Sequence, residues 1–141
     1  MRRPKDALLR LLLVHAAMMA SVIGYGVGGY ATSTEGAASP PSIDPAVFLA
    51  IAAGVAAVAA IASFVVRARR MPRSADEPDA WRQLQGALIA TWALDELVAV
   101  AGLVPAFLYG DAAYYAPFGA AALILLMLHA PRPRALAELM R

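Results

Sequence analysis

The stretch LQGALIATWALDELVAVAGLVPAFLY, residues 84–109, decides how this chain folds. It is apolar almost throughout, and its apolar residues do not alternate with polar ones as they would in a strand. A membrane-spanning helix needs about 20 mostly apolar residues. Since lipid offers the backbone no hydrogen-bond partners, such a run has to satisfy its own N–H and C=O groups as a helix. The stretch therefore predicts a transmembrane helix that carries two adjacent acids, Asp95 and Glu96.

Three further windows of the same kind lie on either side of this one. Residues of the set AVILMFWYC make up 61% of the chain and charged residues only 16%, which is too apolar for a water-soluble domain. We predict an all-α membrane protein with a single membrane domain, residues 1–141, folded as a four-transmembrane-helix bundle. The predicted spans are residues 11–30, 46–66, 84–109 and 112–130.

The positive charges predict the orientation of these spans. All 12 Lys and Arg residues lie before the first span, between the second and third, or after the fourth. With four spans, these three segments fall on one side, and the positive-inside rule makes that side the cytoplasm. We therefore expect a multi-pass inner-membrane protein with cytoplasmic N- and C-termini and a cytoplasmic tail at residues 131–141. The cations then lie near lipid head groups, and no nucleic-acid partner is expected.

Residues 1–20 allow a second interpretation. Their basic start followed by an apolar region is also the pattern of a secretory signal peptide. Arg10 and His15 interrupt that region, however, and the apolar run continues past the usual length of a signal peptide. We therefore favour a first span at residues 11–30, with cleavage as the open alternative.

The two acids of the third span are expected to lie deep in the membrane. Glu96 follows Arg82 by fourteen residues, about 21 Å along a helix axis, and the hydrocarbon layer is about 30 Å thick. A carboxylate at that depth costs at least about 2.5–3.5 kcal/mol, so it is protonated, paired or beside water. We interpret Glu96 as a candidate proton- or cation-binding residue. Asp95 is a weaker candidate, for which hydrogen bonding between helices is the favoured role.

Three polar side chains are candidate partners of Glu96. By the same rise per residue, Ser21 and Tyr25 of the first span lie at a similar depth, and Thr91 lies one turn away on the same helix. A hydrogen bond from Tyr25 or Ser21 to Glu96 is the sharper prediction. His15 is expected nearer the inner surface as a packing residue, without a direct pair to Glu96.

The residue set contains little of what an enzyme needs. The chain has no cysteine, and no nucleophile–base pair, phosphate-binding loop or metal-ligand spacing is recognisable. The glycine-rich run GYGVGG, residues 24–29, lies inside a predicted span with no strand before it, so it does not indicate a dinucleotide site. We therefore expect neither enzymatic activity nor a cofactor or metal site.

The second and third spans together resemble the helical hairpin of the proteolipid c subunit of rotary ATP synthases. The similar elements are AIAAGVA at 50–56, RMP at 70–72 and ELVAVAGLVPAF at 96–107. The resemblance implies a cytoplasmic hairpin loop and places Glu96 where that family has its ion-carrying carboxylate. The series GLV…F…GD…PF…PR within residues 102–132 is also similar to small, uncharacterised four-span membrane proteins of bacteria, which implies no activity.

Three functions remain open at this point. The first is an ion-binding membrane subunit similar to a proteolipid, in which Glu96 exchanges a proton or a cation. The second is a non-catalytic structural or assembly component of a membrane complex, in which both acids hold helices together. The third is a small proton-coupled transporter. The lipid bilayer is a partner in each case, and copies of the same chain or other membrane subunits remain open as further partners.

Overall fold

The computed structural model describes residues 4–33, 42–72 and 79–131, and within these ranges the chain is helical and has no strand. The predicted all-α class is therefore confirmed for the described part of the chain. It contains one 3-10 turn, Ala112–Tyr114, and four α-helices: α1 (Pro4–Ser33), α2 (Pro45–Arg70), α3 (Ala80–Tyr109) and α4 (Ala116–Leu128).

Three of the helices are long and apolar enough to cross a membrane. Their apolar runs are Leu8–Ala31, Pro45–Arg70 and Ala80–Tyr109, of 24, 26 and 30 residues. Large apolar side chains stand exposed on the outer faces of α1 and α2; Val27 is 66% exposed and Val58 is 69% exposed. Such side chains would be unfavourable in water, but they suit an environment of hydrocarbon.

Local capping determines where the long helices begin and end. The Asp44 side chain accepts a hydrogen bond from the Ala46 N–H at 2.8 Å, and Pro45 occupies the first helical position, where its missing N–H does no harm. Near the start of α2, α3 stops at Gly110, whose left-handed φ of 64° suits a residue without a Cβ.

The fourth helix is shorter than predicted. Residues 112–130 do not form one helix, because the Asp111 side chain caps a 3-10 turn and α4 begins only at Ala116, next to Pro117. It ends at Leu128, since His129 has left the helical conformation. Its 13 residues rise about 20 Å, less than the roughly 30 Å of a hydrocarbon layer.

The central element of the bundle is α3. The other three helices all pack against it, and α1 also packs against α4. Half of the apolar window of α3 is buried, compared with 17% for α1 and 22% for α2.

Side-chain contacts show in which direction the helices run relative to one another. Because His15 contacts Trp92 and Tyr25 contacts Glu96, α1 and α3 run parallel. Because Tyr109 reaches the Ile43 carbonyl, α2 runs antiparallel to α3.

Candidate functional site

The Glu96 carboxyl lies between α3 and α1. Its Oε1 is 2.5 Å from the Ser21 hydroxyl and 2.8 Å from the Tyr25 hydroxyl, and all three residues are partly buried. Ser21 and Tyr25 are four residues apart, so they lie one above the other on the same face of α1. The hydrogen bond anticipated from Tyr25 or Ser21 is thus present, and both hydroxyls take part. The ion-binding role of Glu96 stays a prediction.

The Ser21 hydroxyl has two possible acceptors. Its Oγ is 2.8 Å from the Met18 carbonyl oxygen as well as 2.5 Å from Glu96. A serine hydroxyl carries one proton, so it cannot donate to both at once. When Glu96 is ionised, Ser21 donates to it. When Glu96 is protonated, the carboxyl donates to Ser21 and Ser21 donates to Met18. Rotation of one hydroxyl therefore lets the same contacts accommodate Glu96 with or without its proton.

Thr91 is not brought to Glu96. Its hydroxyl donates to the Ala87 carbonyl at 2.7 Å within α3, and the residue is completely buried. A threonine inside an apolar helix finds its nearest acceptor in the carbonyl one turn back, and here that local bond satisfies the hydroxyl. Thr91 therefore contributes to the helix and is not part of the Glu96 contact set.

The Asp95 side chain points to a different helix from its neighbour Glu96. It is 0% exposed, and its Oδ2 lies 2.8 Å from Nδ1 of His129, just after the end of α4. His129 itself is only 2% exposed. We call these two residues the aspartate–histidine pair. The bond joins α3 to α4, as the interhelical role favoured for Asp95 requires.

Sequence reasoning missed His129 as the partner of Asp95. Treating residues 112–130 as a full span places His129 at the membrane surface. The observed α4 is short, and its end lies beside Asp95 and Trp92. From Trp92 back to its first residue, Ala80, α3 has another twelve residues, about 18 Å, so the end of α4 lies well inside the bundle. A buried acid needs a partner, and that need was the one signal that could have pointed to His129.

The last turn of α4 is held by donors from the other three helices. A helix leaves its final carbonyl groups without internal partners, and burying them unpaired is unfavourable. Here His15 of α1 donates through Nε2 to the Leu126 carbonyl at 3.0 Å. The His129 carbonyl accepts from Arg67 of α2 at 2.9 Å and from the Trp92 indole of α3 at 3.1 Å. These bonds allow α4 to end inside the bundle.

Two atoms of the aspartate–histidine pair have no such partner. Oδ1 of Asp95 and Nε2 of His129 are buried and accept or donate no hydrogen bond within the described ranges. Aromatic rings surround the pair. The centroid of the His129 ring lies 4.7 Å from that of Phe64, and Trp92, whose indole bonds the His129 carbonyl, has its ring centroid 4.9 Å from that of His15. Most buried polar side-chain atoms in proteins are paired, so these two exceptions call for an explanation.

The remaining features of the described residues offer no metal centre. No group of three or more His, Cys, Asp or Glu side chains that could hold a metal ion occurs within them. Two clefts beside α2 are lined by apolar residues alone, including Val98 in one and Val100 in the other, and neither includes an acid. Among the described acidic side chains, those of Asp95 and Glu96 are the two that are not exposed.

Comparison with known proteins adds no relative. No protein-family model, no curated protein and no solved structure matches the chain. No likeness to another protein therefore assigns a role to any residue of this chain.

Proposed function

We propose that this chain is a four-span membrane protein whose Glu96 carboxyl binds and releases a proton inside the membrane, as in an ion-binding proteolipid-like subunit. The observation that carries the proposal is the pair of hydroxyls on Glu96, of which Ser21 also reaches the Met18 carbonyl. This arrangement supplies hydrogen-bond partners for both protonation states. A group that exchanges a proton in hydrocarbon requires this, because an unpaired carboxylate there is unfavourable.

A proton fits this site better than a metal cation. The hydrogen-bond partners of Glu96 are two hydroxyls, and the adjacent acid, Asp95, contacts His129 instead. Within the described residues, no group of three or more His, Cys, Asp or Glu side chains could hold a metal ion. Hard divalent cations prefer about six or more oxygen ligands. A proton needs only one acceptor atom and a neighbour that can reverse its hydrogen bond, which Ser21 can do.

Labelling with a carbodiimide that reacts with protonated carboxyls in membranes tests the proposal. We expect modification of Glu96 that increases as the pH falls, and at least a tenfold loss of labelling in Glu96→Gln. Asp95→Asn is the matched control, since it removes the adjacent acid and should leave Glu96 reactive. Labelling that persists in Glu96→Gln or does not vary with pH contradicts the proposal. If sodium at constant pH protects Glu96 from labelling, the site binds a cation and the proposal of a proton site is wrong.

The topology of the proposal rests on charge and on helix direction. Every basic residue lies in segments that four spans would place on one side, and α1 runs parallel to α3 but α2 runs antiparallel. We propose that the 3-10 turn and α4 form the outer part of a fourth crossing, so that both termini are cytoplasmic and the protein resides in the inner membrane.

Single-cysteine accessibility tests this topology, because the chain has no native cysteine to interfere. Ser42→Cys, in the segment before α2, should react with a membrane-impermeant maleimide in cells whose outer membrane has been opened. Asp79→Cys, before α3, should react only after the inner membrane is permeabilised, and a reporter fused to the C-terminus should be cytoplasmic. Equal reactivity of both cysteines, or a reporter on the outer side, contradicts the four-span arrangement.

A structural or assembly component is the second candidate. Both acids of α3 join helices, Glu96 to α1 and Asp95 to α4, which is what such a role requires. The labelling experiment separates the two candidates when combined with a folding measurement. If Glu96→Gln disrupts the fold or assembly and labelling in the wild type does not depend on pH, Glu96 is a packing residue.

A further inference from the structure

We propose that the aspartate–histidine pair is a second proton-binding site, in which His129 takes up a proton and Asp95 stabilises the resulting imidazolium. This site is separate from Glu96, and the proposal does not rest on the role given to that residue. Neighbouring positions of a helix point about 100° apart. Glu96 faces α1, and Asp95 faces the end of α4.

The geometry identifies the nitrogen of His129 that takes up the proton. Nδ1 of His129 is occupied, at 2.8 Å from Oδ2 of Asp95, and the two side chains are 3% and 0% exposed. Nε2 has no hydrogen-bond partner within the described ranges. In the tautomer whose Nδ1–H donates to the Asp95 carboxylate, a proton can add to the Nε2 lone pair and convert the imidazole to imidazolium without breaking a hydrogen bond to any described residue. Nδ1–H stays donated to the carboxylate throughout.

Opposite charges act on His129 from two helices. The Asp95 carboxylate of α3 favours the imidazolium form, because it lies in direct contact. The Arg67 guanidinium of α2, 2.9 Å from the His129 carbonyl oxygen, disfavours a second positive charge. Protonation of His129 therefore places the new positive charge in direct contact with the Asp95 carboxylate, which accompanies it inside the bundle.

The other titratable groups near this cluster have their own partners. His15 of α1 is bonded through Nε2 to the Leu126 carbonyl, and Glu96 is bonded to the hydroxyls of Ser21 and Tyr25 on α1. Histidine is the side chain that ordinarily changes its charge between pH 5 and 8. Of the two histidines, His129 is the one that contacts a carboxylate within the described part of the chain.

Nitrogen NMR of the full-length protein in lipid nanodiscs tests the proposal. The chain has two histidines, so ¹⁵N-histidine labelling with His15→Asn as the assignment variant isolates the His129 ring. We expect the ratio of imidazolium to imidazole at His129 to change between pH 5 and 9. At fixed pH, Asp95→Asn should lower this ratio about tenfold or more, and Arg67→Gln should raise it several-fold. Arg67→Lys, which keeps the charge, and Glu96→Gln should leave it unchanged.

Opposite shifts from the two neutralising substitutions are the signature of the site. A fixed structural hydrogen bond would give a His129 ring in one state from pH 5 to 9, and that result overturns the proposal. The same conclusion follows if the ratio is identical in wild type, Asp95→Asn and Arg67→Gln. If Asp95→Asn fails to fold, the wild-type titration and the comparison of Arg67→Gln with Arg67→Lys decide. Carbodiimide labelling of Glu96 is a separate readout, so the two proposals fail independently.

Discussion

Gly102→Ala is expected to lower the free energy of unfolding by about 1–3 kcal/mol, as overpacking of a close contact does. A Cβ at residue 102 would lie against Cβ and Cγ of Phe118, closer than real Cβ atoms approach their neighbours. These atoms are the base of the side chain, so they cannot rotate away and the α3 and α4 backbones would have to separate. Small residues at such contacts let membrane helices approach closely.

Gly86→Ala is the matched control on the same helix. A Cβ there would meet nothing within 4 Å, so the substitution should be neutral or stabilising by up to about 1 kcal/mol through helix propensity. Both variants can be compared by SDS titration in mixed micelles, followed by circular dichroism. If Gly102→Ala is as stable as Gly86→Ala, α3 and α4 do not meet at Phe118, and the placement of α4 is wrong.

His129→Leu is expected to destabilise the fold by about 3–5 kcal/mol, the usual effect of leaving a buried charge without its partner. The substitution would leave the Asp95 carboxyl, which is 0% exposed, without its partner at 2.8 Å. Asp95→Leu should destabilise less, because a neutral imidazole is easier to bury alone than a carboxylate. The double variant should recover much of the loss, since two apolar side chains leave no polar group unpaired.

A double-mutant cycle on the free energy of unfolding measures this coupling. Ser63→Ala is a suitable control: Ser63 is also 0% exposed, but its hydroxyl donates only to the Ala60 carbonyl of its own helix. We expect an effect of about 1 kcal/mol or less there. Additive effects of His129→Leu and Asp95→Leu would show that the two residues do not stabilise each other.

The contacts of Glu96 could be predicted from the sequence because α1 and α3 run parallel and each has an arginine near its start from which depth can be counted. Counting 1.5 Å per residue from Arg10 on α1 and from Arg82 on α3 places Tyr25 and Glu96 at nearly the same depth, and the structure brings them within 2.8 Å. The choice between Ser21 and Tyr25 could not be made this way, because side-chain rotamers decide it, and both bind.

The sequence by itself determined that the described part of the chain is helical and apolar, roughly where the first three helices begin and end, and that α3 carries two acids, but it missed the 3-10 turn before α4. These properties follow from hydrophobic length and local capping, which neighbouring residues control. Only the tertiary structure decided that His129 meets Asp95. The position of α4 along α3 is set by packing at Gly102 and by the hydrogen-bond donors that bind its last carbonyl groups. No local sequence pattern encodes that packing or those hydrogen bonds. A helix too short to span places its end where packing allows, so its partners emerge only when the bundle assembles.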